Sequence, residues 1–165
     1  ACFVTAGADG VAKLWSLESS ESVGALKGHV DRVCKVGWHP MGAHVATTSA
    51  DRTWRLWDVE TEKELLLQEG HARCVYPVAF HPDGSLVATG DLGGRGRVWD
   101  LRSGKAIIDL DAHARQLISL AFSPNGWCLA SGSDDNTIRI CDLRRKAPSI
   151  NMIPAHTKLI SHLTF

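Results

Sequence analysis

Short segments rich in β-branched and aromatic residues alternate with polar turns along the whole chain. The clearest group consists of four segments, at residues 33–38, 44–49, 53–58 and 64–68. A Pro-x-Gly turn follows the first segment, and an Asp-centred turn at 50–52 follows the second. Segments of this length and composition, bounded by such turns, are typical of β-strands, and no helical period of useful length competes with them. The pattern predicts an all-β fold with four strands per unit.

Three series of residues recur with a common period of about 42 residues. The first series closes the third segment of each unit and consists of Trp15, Trp57, Trp99 and, in the fourth place, Cys141. The second series precedes the first segment and consists of His29, His71, His113 and His156. The third series lies in the turn after the first segment and consists of Pro40, Pro82 and Pro124. Because three independent series keep one register, the chain is built from repeats.

A Gly-His pair before the first strand (Gly28-His29) and a Trp-Asp pair closing the third (Trp57-Asp58), at this period, resemble the WD40 repeat family. The resemblance covers the whole chain, residues 1–165, and implies a β-propeller. We expect about four blades' worth of a seven-bladed ring, in a fragment of a longer protein, and closure of a four-bladed ring is the alternative. The expected units are a partial blade at 1–27, blades at 28–69, 70–111 and 112–154, and the first strand of a further blade at 155–165.

Composition and charge narrow the classes of function. Hydrophobic residues make up 44% and charged residues 22% of the chain, which is typical of a globular domain. Eighteen Lys and Arg residues balance eighteen Asp and Glu residues, so a nucleic-acid contact would need a local basic patch. No apolar run approaches the ~18 residues that cross a bilayer, so we expect no membrane partner.

Cysteine and histidine spacing indicates neither a disulfide framework nor a metal site. The five cysteines are odd in number and contain no C-x-x-C pair, which favours a reducing compartment. The eight histidines show no spacing typical of metal ligands. We therefore expect no metal, no cofactor and no small-molecule substrate.

His113, Ser131 and Asp135 are the three residue types of a serine hydrolase triad. The same residue types recur at the period, however, which favours a structural hydrogen-bond network over catalysis. The resemblance implies the same role, because WD40 blades use such a set to bind their strands together. The expected network residues are Thr5, Asp9 and Trp15; His29, Thr47, Asp51 and Trp57; His71, Thr89 and Trp99; and His113, Ser131 and Asp135. We therefore predict that the chain is not an enzyme.

Two positions depart from this set. Gly93 stands where an aspartate is expected, and Cys141 replaces the tryptophan. The unit that contains His71 should be held less tightly, unless Asp91 takes the missing role. Gly93 also begins a glycine-rich stretch that could cradle a phosphate, but the strand that follows favours a plain hairpin turn.

The turns between second and third strands should share one rim with the segments that lead from one blade to the next. Loops on a rigid scaffold commonly carry binding function. The basic residues expected there are Arg32, Arg52, Arg73, Arg95, Arg115 and Lys158. They would suit acidic protein segments or RNA phosphates, and solvated charges paired with aspartates are the equally weighted alternative. A second basic series within the strands, Lys13, Arg55, Arg97 and Arg139, is expected to pair with acidic residues, and Trp54 is expected to be buried.

Several strings resemble the spliceosomal WD40 subunits of the U4/U6 small nuclear ribonucleoprotein, the pre-mRNA-processing factor four family. They include Asp51-Arg52-Thr53-Trp54-Arg55-Leu56-Trp57-Asp58 and Ile153-Pro154-Ala155-His156, of which Trp54 and the second string are the least generic parts. This resemblance implies a non-enzymatic scaffold in the nucleus that helps to assemble the U4/U6 and U4/U6-U5 particles. The implied partners are pre-mRNA-processing factor three and a spliceosomal cyclophilin, with U4 and U6 small nuclear RNA as a further candidate. The alternative is a WD40 adaptor of another complex, such as a ubiquitin-ligase substrate receptor or a chromatin reader.

Overall fold

The computed structural model describes residues 2–111, 113–145 and 150–165. Over these residues the chain forms fifteen strands and no helix, arranged in four antiparallel sheets. The predicted all-β class is confirmed, and the arrangement is that of a partial β-propeller of about four blades. Within the described ranges no helix exists that could cross a membrane.

Each sheet uses its strands in the order of the sequence. Sheet 1 contains β1 (Cys2–Ala6), β2 (Val11–Ser16) and β3 (Ser22–Lys27). Sheet 2 contains β4 (Val33–Trp38), β5 (His44–Ser49), β6 (Trp54–Asp58) and β7 (Glu64–Gln68). Sheet 3 contains β8 (Val75–Phe80), β9 (Leu86–Asp91), β10 (Arg95–Asp100) and β11 (Lys105–Asp111). Sheet 4 contains β12 (Leu117–Phe122), β13 (Cys128–Ser133), β14 (Thr137–Asp142) and β15 (Ile150–Pro154).

The strands of sheet 2 follow the hydrophobic pattern closely. The predicted bounds of β4, β5 and β7 agree with the structure. The third strand of the sheet, β6, begins at Trp54 instead of Thr53. The reason is local, because both the amide nitrogen and the hydroxyl of Thr53 donate to Asp51 Oδ1, at 2.9 and 2.7 Å. Thr53 therefore completes the turn, and the ladder starts one residue later.

Apolar side chains are buried between neighbouring sheets. Sheets 1 and 2 bury a cluster formed by Ala12, Leu14, Leu26, Val45 and Trp57. Sheets 2 and 3 bury Ala46, Trp54, Leu56, Val75, Val87 and Trp99. Sheets 3 and 4 bury Ala88, Val98, Leu110, Leu117, Leu120, Phe122, Leu129 and Cys141. Each sheet thus depends on its neighbour to remove its apolar face from water.

Trp54 and Trp57 show how one strand serves both faces of a sheet. Successive side chains of a strand alternate between faces, so residues three apart point to opposite sides. Trp57 is 2% exposed and packs toward sheet 1, whereas Trp54 is fully buried against sheet 3. The ring of Trp54 meets that of Trp99 edge to face, with ring centres 5.6 Å apart. The expected burial of Trp54 is confirmed.

The connections form two rims. On the upper rim, each turn between second and third strands bonds the segment that leads into the same sheet: Ala50 N donates to Arg32 O at 3.1 Å, and Leu92 N donates to Cys74 O at 2.9 Å. On the lower rim, the connection after the third strand bonds the turn between first and second strands. An example is Val59 N, which donates to the carbonyl oxygen of Ala43 at 3.0 Å.

The structure differs from the prediction at residues 155–165, which contain no strand. Ile160 is 4% exposed, and its amide donates to Ser133 O at 3.1 Å. Val33 makes the equivalent bond to Gly7 O at 2.9 Å, so Ile160 lies against sheet 4 as Val33 lies against sheet 1. A strand also requires a neighbouring strand to complete its ladder, and the described part of the chain supplies none beside this segment.

We predict that Gly94→Ala destabilises the protein far more than Gly42→Ala. Both glycines have positive φ, 90° and 77°, where a side chain is strained. A Cβ at Gly94 would also overlap the carbonyl oxygens of His113 and Arg115 in the segment that leads into sheet 4, whereas Gly42 has nothing within 4 Å. Denaturant unfolding should give a loss of about 1 kcal/mol for Gly42→Ala and about 3 kcal/mol or more for Gly94→Ala. Equal losses would contradict the close contact.

Candidate functional site

A chain of hydrogen bonds runs through sheet 2 from the upper-rim turn to the third strand. His29 Nδ1 lies 2.8 Å from Asp51 Oδ2, and His29 Nε2 lies 2.7 Å from Thr47 Oγ1. Trp57 Nε1 donates to the same threonine oxygen at 2.9 Å. The side chains of His29 and Asp51 are only 1% and 4% exposed. The structure therefore brings together all four residues that the sequence assigned to this network.

The donor and acceptor chemistry of these groups assigns the protons. The indole of Trp57 can only donate, so the oxygen of Thr47 accepts this bond, and its hydroxyl hydrogen points to His29 Nε2. The other ring nitrogen of the neutral histidine then carries the proton and donates to Asp51. Each polar group of these four side chains that takes part in the network has a partner, which is the condition for a buried polar network to stabilise a core.

Sheet 3 builds the same chain although Gly93 occupies the place of the aspartate. His71 Nε2 lies 2.8 Å from Thr89 Oγ1, and Trp99 Nε1 donates to that oxygen at 2.8 Å. Asp91, two residues before Gly93, is 1% exposed, and its Oδ2 lies 3.3 Å from His71 Nδ1. Asp91 therefore takes the missing role, at a longer distance than Asp51 keeps in sheet 2.

The second carboxylate oxygen of Asp91 organises the glycine-rich turn. It accepts hydrogen bonds from the amides of Gly93 and Arg95, at 2.8 and 3.2 Å. The amide of Gly94 donates to the main-chain oxygen of Asp91 at 3.1 Å. Because these three amides are already paired, they cannot cradle a phosphate, and the turn is a hairpin turn held by its own aspartate.

In sheet 4 the network has the residue types of a hydrolase triad. His113 Nδ1 lies 2.9 Å from Asp135 Oδ2, and His113 Nε2 lies 2.8 Å from Ser131 Oγ. Cys141 supplies no indole, and Ser131 makes a long contact of 3.4 Å to Arg139 O. Ser131 and His113 are only 4% and 6% exposed, so the hydroxyl does not face a surface that a substrate could reach.

Sheet 1 contains the short form of the network. Trp15 Nε1 donates to Thr5 Oγ1 at 2.8 Å. Asp9 accepts a hydrogen bond from the amide of Val11 at 3.1 Å, within its own turn. These three predicted residues thus keep the tryptophan bond that sheets 2 and 3 also show and the turn bond that all three other sheets show.

Burial and hydrogen bonding shift the pKa values of the network in a consistent direction. Burial lowers the pKa of His29 and of His113, although their aspartate partners raise it in part. Burial alone would raise the pKa of Asp135, but the hydrogen bonds from Thr137 and His113 outweigh it and hold this pKa at about 2. At neutral pH the rings of His29 and His113 are therefore neutral and the carboxylate of Asp135 is ionised.

The predicted partner-binding cations are all exposed on the upper rim, distributed over the loops of sheets 2, 3 and 4 and the segment that follows them. They are Arg32, Arg52, Arg73, Arg95, Arg115 and Lys158. Arg95 Nε lies 3.9 Å from Asp111 Oδ1, with both side chains well exposed. The other five cations form no ion pair with any residue in the described ranges.

The basic residues within the strands divide into two groups. Arg55 pairs with Glu64, and Arg97 Nε lies 2.9 Å from Asp109 Oδ1, as expected. Lys13 and Arg139 have no acidic partner among the residues that the structure describes. The expectation of pairing is therefore correct for Arg55 and Arg97 only. At Arg139 the cross-strand residue is Met152, which offers no charge.

One contact was not foreseen from the sequence. The Sγ atoms of Cys34 and Cys74 lie 3.4 Å apart, although the two residues are forty positions apart in the chain. The spacing of the cysteines in the sequence did not indicate this contact, because it depends on how sheet 2 packs against sheet 3. Elsewhere, the described residues contain no group of three or more side chains placed to hold a metal ion.

We predict that Asp91→Ala destabilises the protein and that Gly93→Asp rescues it. Removing the carboxylate leaves the buried Nδ1 proton of His71 without an acceptor, which costs about 1–3 kcal/mol. An aspartate at position 93 would occupy the place that Asp51 and Asp135 hold in their own sheets. Denaturant unfolding of Asp91→Ala and of the double variant measures the recovery. A double variant no more stable than Asp91→Ala would contradict the shared role.

We predict that stability declines as the pH falls below about 6.5 and declines further below about 4. Because the pKa values of buried His29 and His113 are lowered in the folded protein, these rings bind protons at a higher pH in the unfolded chain than in the folded one. A fall in pH therefore favours the unfolded chain. Each histidine contributes at most about 1.4 kcal/mol per pH unit. The lowered pKa of Asp135 adds stability that is lost as the pH falls from about 4 toward about 2.

Unfolding free energies measured from pH 8 to pH 3 test this profile. His29→Gln should flatten the decline between pH 6.5 and 5, because one of the two titrating rings is gone. His162→Gln, at an exposed histidine, is the matched control and should leave the profile unchanged. A flat profile of the unaltered protein over that range would refute the assignment of neutral buried rings.

Comparison with known proteins supports the repeat. The family model described as WD domain, G-beta repeat matches residues 20–58, 62–100 and 104–142, which is more than half of the chain. No curated protein matches the sequence. Each matched segment begins one or two residues before the last strand of one sheet and ends in the third strand of the next, as 20–58 does from just before β3 to β6. WD40 repeats indicate a protein-interaction scaffold or adaptor, and their propellers are generally not catalytic. By these matches and by its four-stranded sheets, the chain belongs to the WD40 repeat family.

Proposed function

We propose that this chain is a non-enzymatic scaffold of pre-mRNA splicing that acts in the nucleus and helps to assemble the U4/U6 and U4/U6-U5 particles. The specific assignment to splicing rests on the sequence strings around Trp54 and at 153–156 that resemble the spliceosomal WD40 subunits. The proposed partners are pre-mRNA-processing factor three, a spliceosomal cyclophilin and the U4 and U6 RNAs. They would meet the chain at the upper rim.

The observation that carries the proposal is the set of exposed cations on that rim. Guanidinium groups bind carboxylates and phosphates through paired hydrogen bonds, so acidic protein segments and RNA phosphates are the chemistry that fits. The loops that present the cations are held by main-chain bonds, such as Ala50 N to Arg32 O, and by the buried histidine networks beneath them. A partner would therefore meet cations on a preorganised surface, which lowers the entropy lost on binding.

Arg52 adds a second argument. Its φ is 70°, a backbone conformation that costs a non-glycine residue of the order of 1 kcal/mol or more. At the same point of the repeat, the other sheets have Gly10, Gly94 and Asn136, which adopt this conformation more readily. An arginine kept at a strained rim position favours a role for its side chain in binding.

The proposed absence of catalysis rests on burial. The hydroxyl of Ser131 is the best candidate nucleophile by residue type, yet it is enclosed with His113 beneath the rim. Each of its partners has a counterpart at the same repeat position in sheet 2, where Thr47 accepts a bond from Trp57. The same geometry therefore serves to bind strands together, and the hydroxyl of Ser131 is not presented to a substrate.

We predict that charge reversal on the upper rim releases the partners and that charge reversal on the lower rim does not. The test variant is a triple variant with Arg32→Glu, Arg73→Glu and Arg115→Glu. The matched control is the triple variant with Lys63→Glu, Arg102→Glu and Lys105→Glu, whose side chains are exposed on the opposite rim or beside it. Each tagged protein is purified gently from cells, with and without ribonuclease, and its associated RNA and proteins are identified. The unaltered protein and the control should recover U4 and U6 RNA with factor three. The amount of each that co-purifies with the test variant should be at least about tenfold lower.

Arg52→Gly separates binding from stability within the same experiment. Glycine relieves the positive φ, so the free energy of unfolding should rise by about 1 kcal/mol or less, while partner recovery should fall. Loss of factor three on ribonuclease treatment would indicate that RNA holds the contact. Recovery of ligase or chromatin subunits without U4 and U6 RNA would reject splicing in favour of another adaptor role. Equal recovery by the upper-rim and lower-rim variants would reject the upper rim as the docking surface.

A further inference from the structure

Two thiols meet where sheet 2 packs against sheet 3. Cys34 Sγ and Cys74 Sγ are 3.4 Å apart, and both residues are half-buried. A disulfide requires the sulfurs to approach to about 2 Å, so a shift of little more than an ångström separates this contact from a bond. The two cysteines lie on the upper rim, at the beginning of β4 and immediately before β8.

Backbone irregularity places both thiols at the boundary between the sheets. In the ladder between β4 and β5, Val33 pairs with Ser49 and Lys35 pairs with Thr48, so Cys34 is the extra residue of a β-bulge. A bulge bends the strand locally and redirects the side chain of the extra residue. Cys74 precedes its strand, where its carbonyl oxygen accepts the bond from Leu92. The two sulfurs converge because of these two local features.

The pair is not required by the repeat. The positions equivalent to Cys34 in the next two sheets hold Tyr76 and Ile118. Those equivalent to Cys74 in the neighbouring sheets hold Arg32 and Gln116. The histidine networks recur in every complete sheet and serve the fold, whereas this contact exists only between sheets 2 and 3. Because the fold does not require this contact between two reactive thiols, the pair is a candidate site of covalent modification.

The surroundings of the thiols are polar and partly open. Burial, with the neighbouring Cys34, raises the pKa of the Cys74 thiol to about 12, although the adjacent Arg32 guanidinium lowers it in part. Cys74 therefore keeps its proton at neutral pH. A second bond between the same sheets joins the Thr48 hydroxyl to Tyr76 O at 2.8 Å, and the Lys35 ammonium lies 5.9 Å from the centre of the Tyr76 ring. These contacts hold the two backbones in register beside the sulfurs.

We propose that Cys34 and Cys74 are a redox modification site, at which hydrogen peroxide converts the two thiols into a reversible disulfide between sheets 2 and 3. Peroxide first oxidises the Cys34 sulfur to a sulfenic acid and is itself reduced to water. The Cys74 sulfur then attacks the Cys34 sulfur, the S–S bond forms and the S–O bond breaks. The hydroxyl leaves with the Cys74 proton as a second water. A dithiol reductant returns both thiols by exchange.

The disulfide would add a covalent cross-link where the two sheets meet through apolar packing and the hydrogen bond from Thr48 to Tyr76 O. The cross-link closes a loop of about forty residues, which reduces the entropy of the unfolded chain. The oxidised protein should therefore unfold at a higher temperature than the reduced protein. Arg32 lies beside the pair, so the bond would also fix one of the exposed cations of the upper rim. The modification does not depend on which partner that rim binds.

Peptide mapping of the purified protein tests the proposal. The protein is treated with a small excess of hydrogen peroxide, its remaining thiols are alkylated in denaturant, and the digest is analysed by mass spectrometry without reduction. We expect a cross-linked peptide that contains Cys34 and Cys74, about 2 Da lighter than the sum of its thiol forms, and loss of two of the five alkylatable thiols. Dithiothreitol should restore all five, and oxidation should raise the midpoint of thermal unfolding.

Matched variants identify the pair. Cys34→Ser and Cys74→Ser should each abolish the cross-link and the rise in the thermal midpoint. Cys2→Ser, at an exposed cysteine, and Cys128→Ser, at another half-buried one, should keep both effects. The unaltered protein is decisive even if a variant folds poorly. Stable sulfinic acid at Cys34, or cross-links distributed over several cysteines, with no dominant Cys34–Cys74 peptide, would overturn the proposal.

Discussion

The apolar faces of each sheet can be buried only against another sheet, and the rest of the structure follows from this constraint. A four-stranded sheet has two faces, and in this chain both carry large side chains, as Trp54 and Trp57 show on a single strand. The sheets therefore stack side by side, and the core is divided into three clusters at their boundaries. The sequence repeat is also offset from the sheets, because each matched repeat contains the last strand of one sheet and the first three strands of the next. Each repeat therefore links two neighbouring sheets through the main chain.

Close stacking raises a second problem, because the turns at the upper rim bring polar groups into a buried environment. The histidine networks solve it for their own side chains by a continuous series of hydrogen bonds, from the indole of Trp57 through Thr47 and His29 to Asp51. Sheet 3 reaches the same result with Asp91, although its turn has a glycine where the other sheets have the aspartate. The residues of the hydrolase-like set are buried within such a network, whereas the basic side chains of the upper rim are exposed.

Residues that differ from their counterparts in the other sheets are the best places to look for a function specific to this chain. Arg52 takes a strained conformation that glycine or asparagine takes elsewhere, and it does so on the rim proposed for docking. Cys34 and Cys74 meet between sheets 2 and 3, at positions that hold other residue types in the neighbouring sheets. Features that recur in each sheet are explained by the fold. Neither Arg52 nor the cysteine pair recurs at the equivalent positions of the other sheets, so the repeat alone does not account for them.

The sequence by itself determined the period, the all-β class, most strand bounds of sheet 2 and the members of the hydrogen-bond networks, because these depend on residue types at short, regular spacings. It could not decide that Asp91 replaces the missing partner of His71, that residues 155–165 form no strand, or that Arg139, unlike Arg55 and Arg97, has no acidic partner among the described residues. Nor could it bring Cys34 to Cys74. Each of these outcomes depends on distances of a few ångströms between segments about twenty or more residues apart, which only the stacking of one sheet on the next sets.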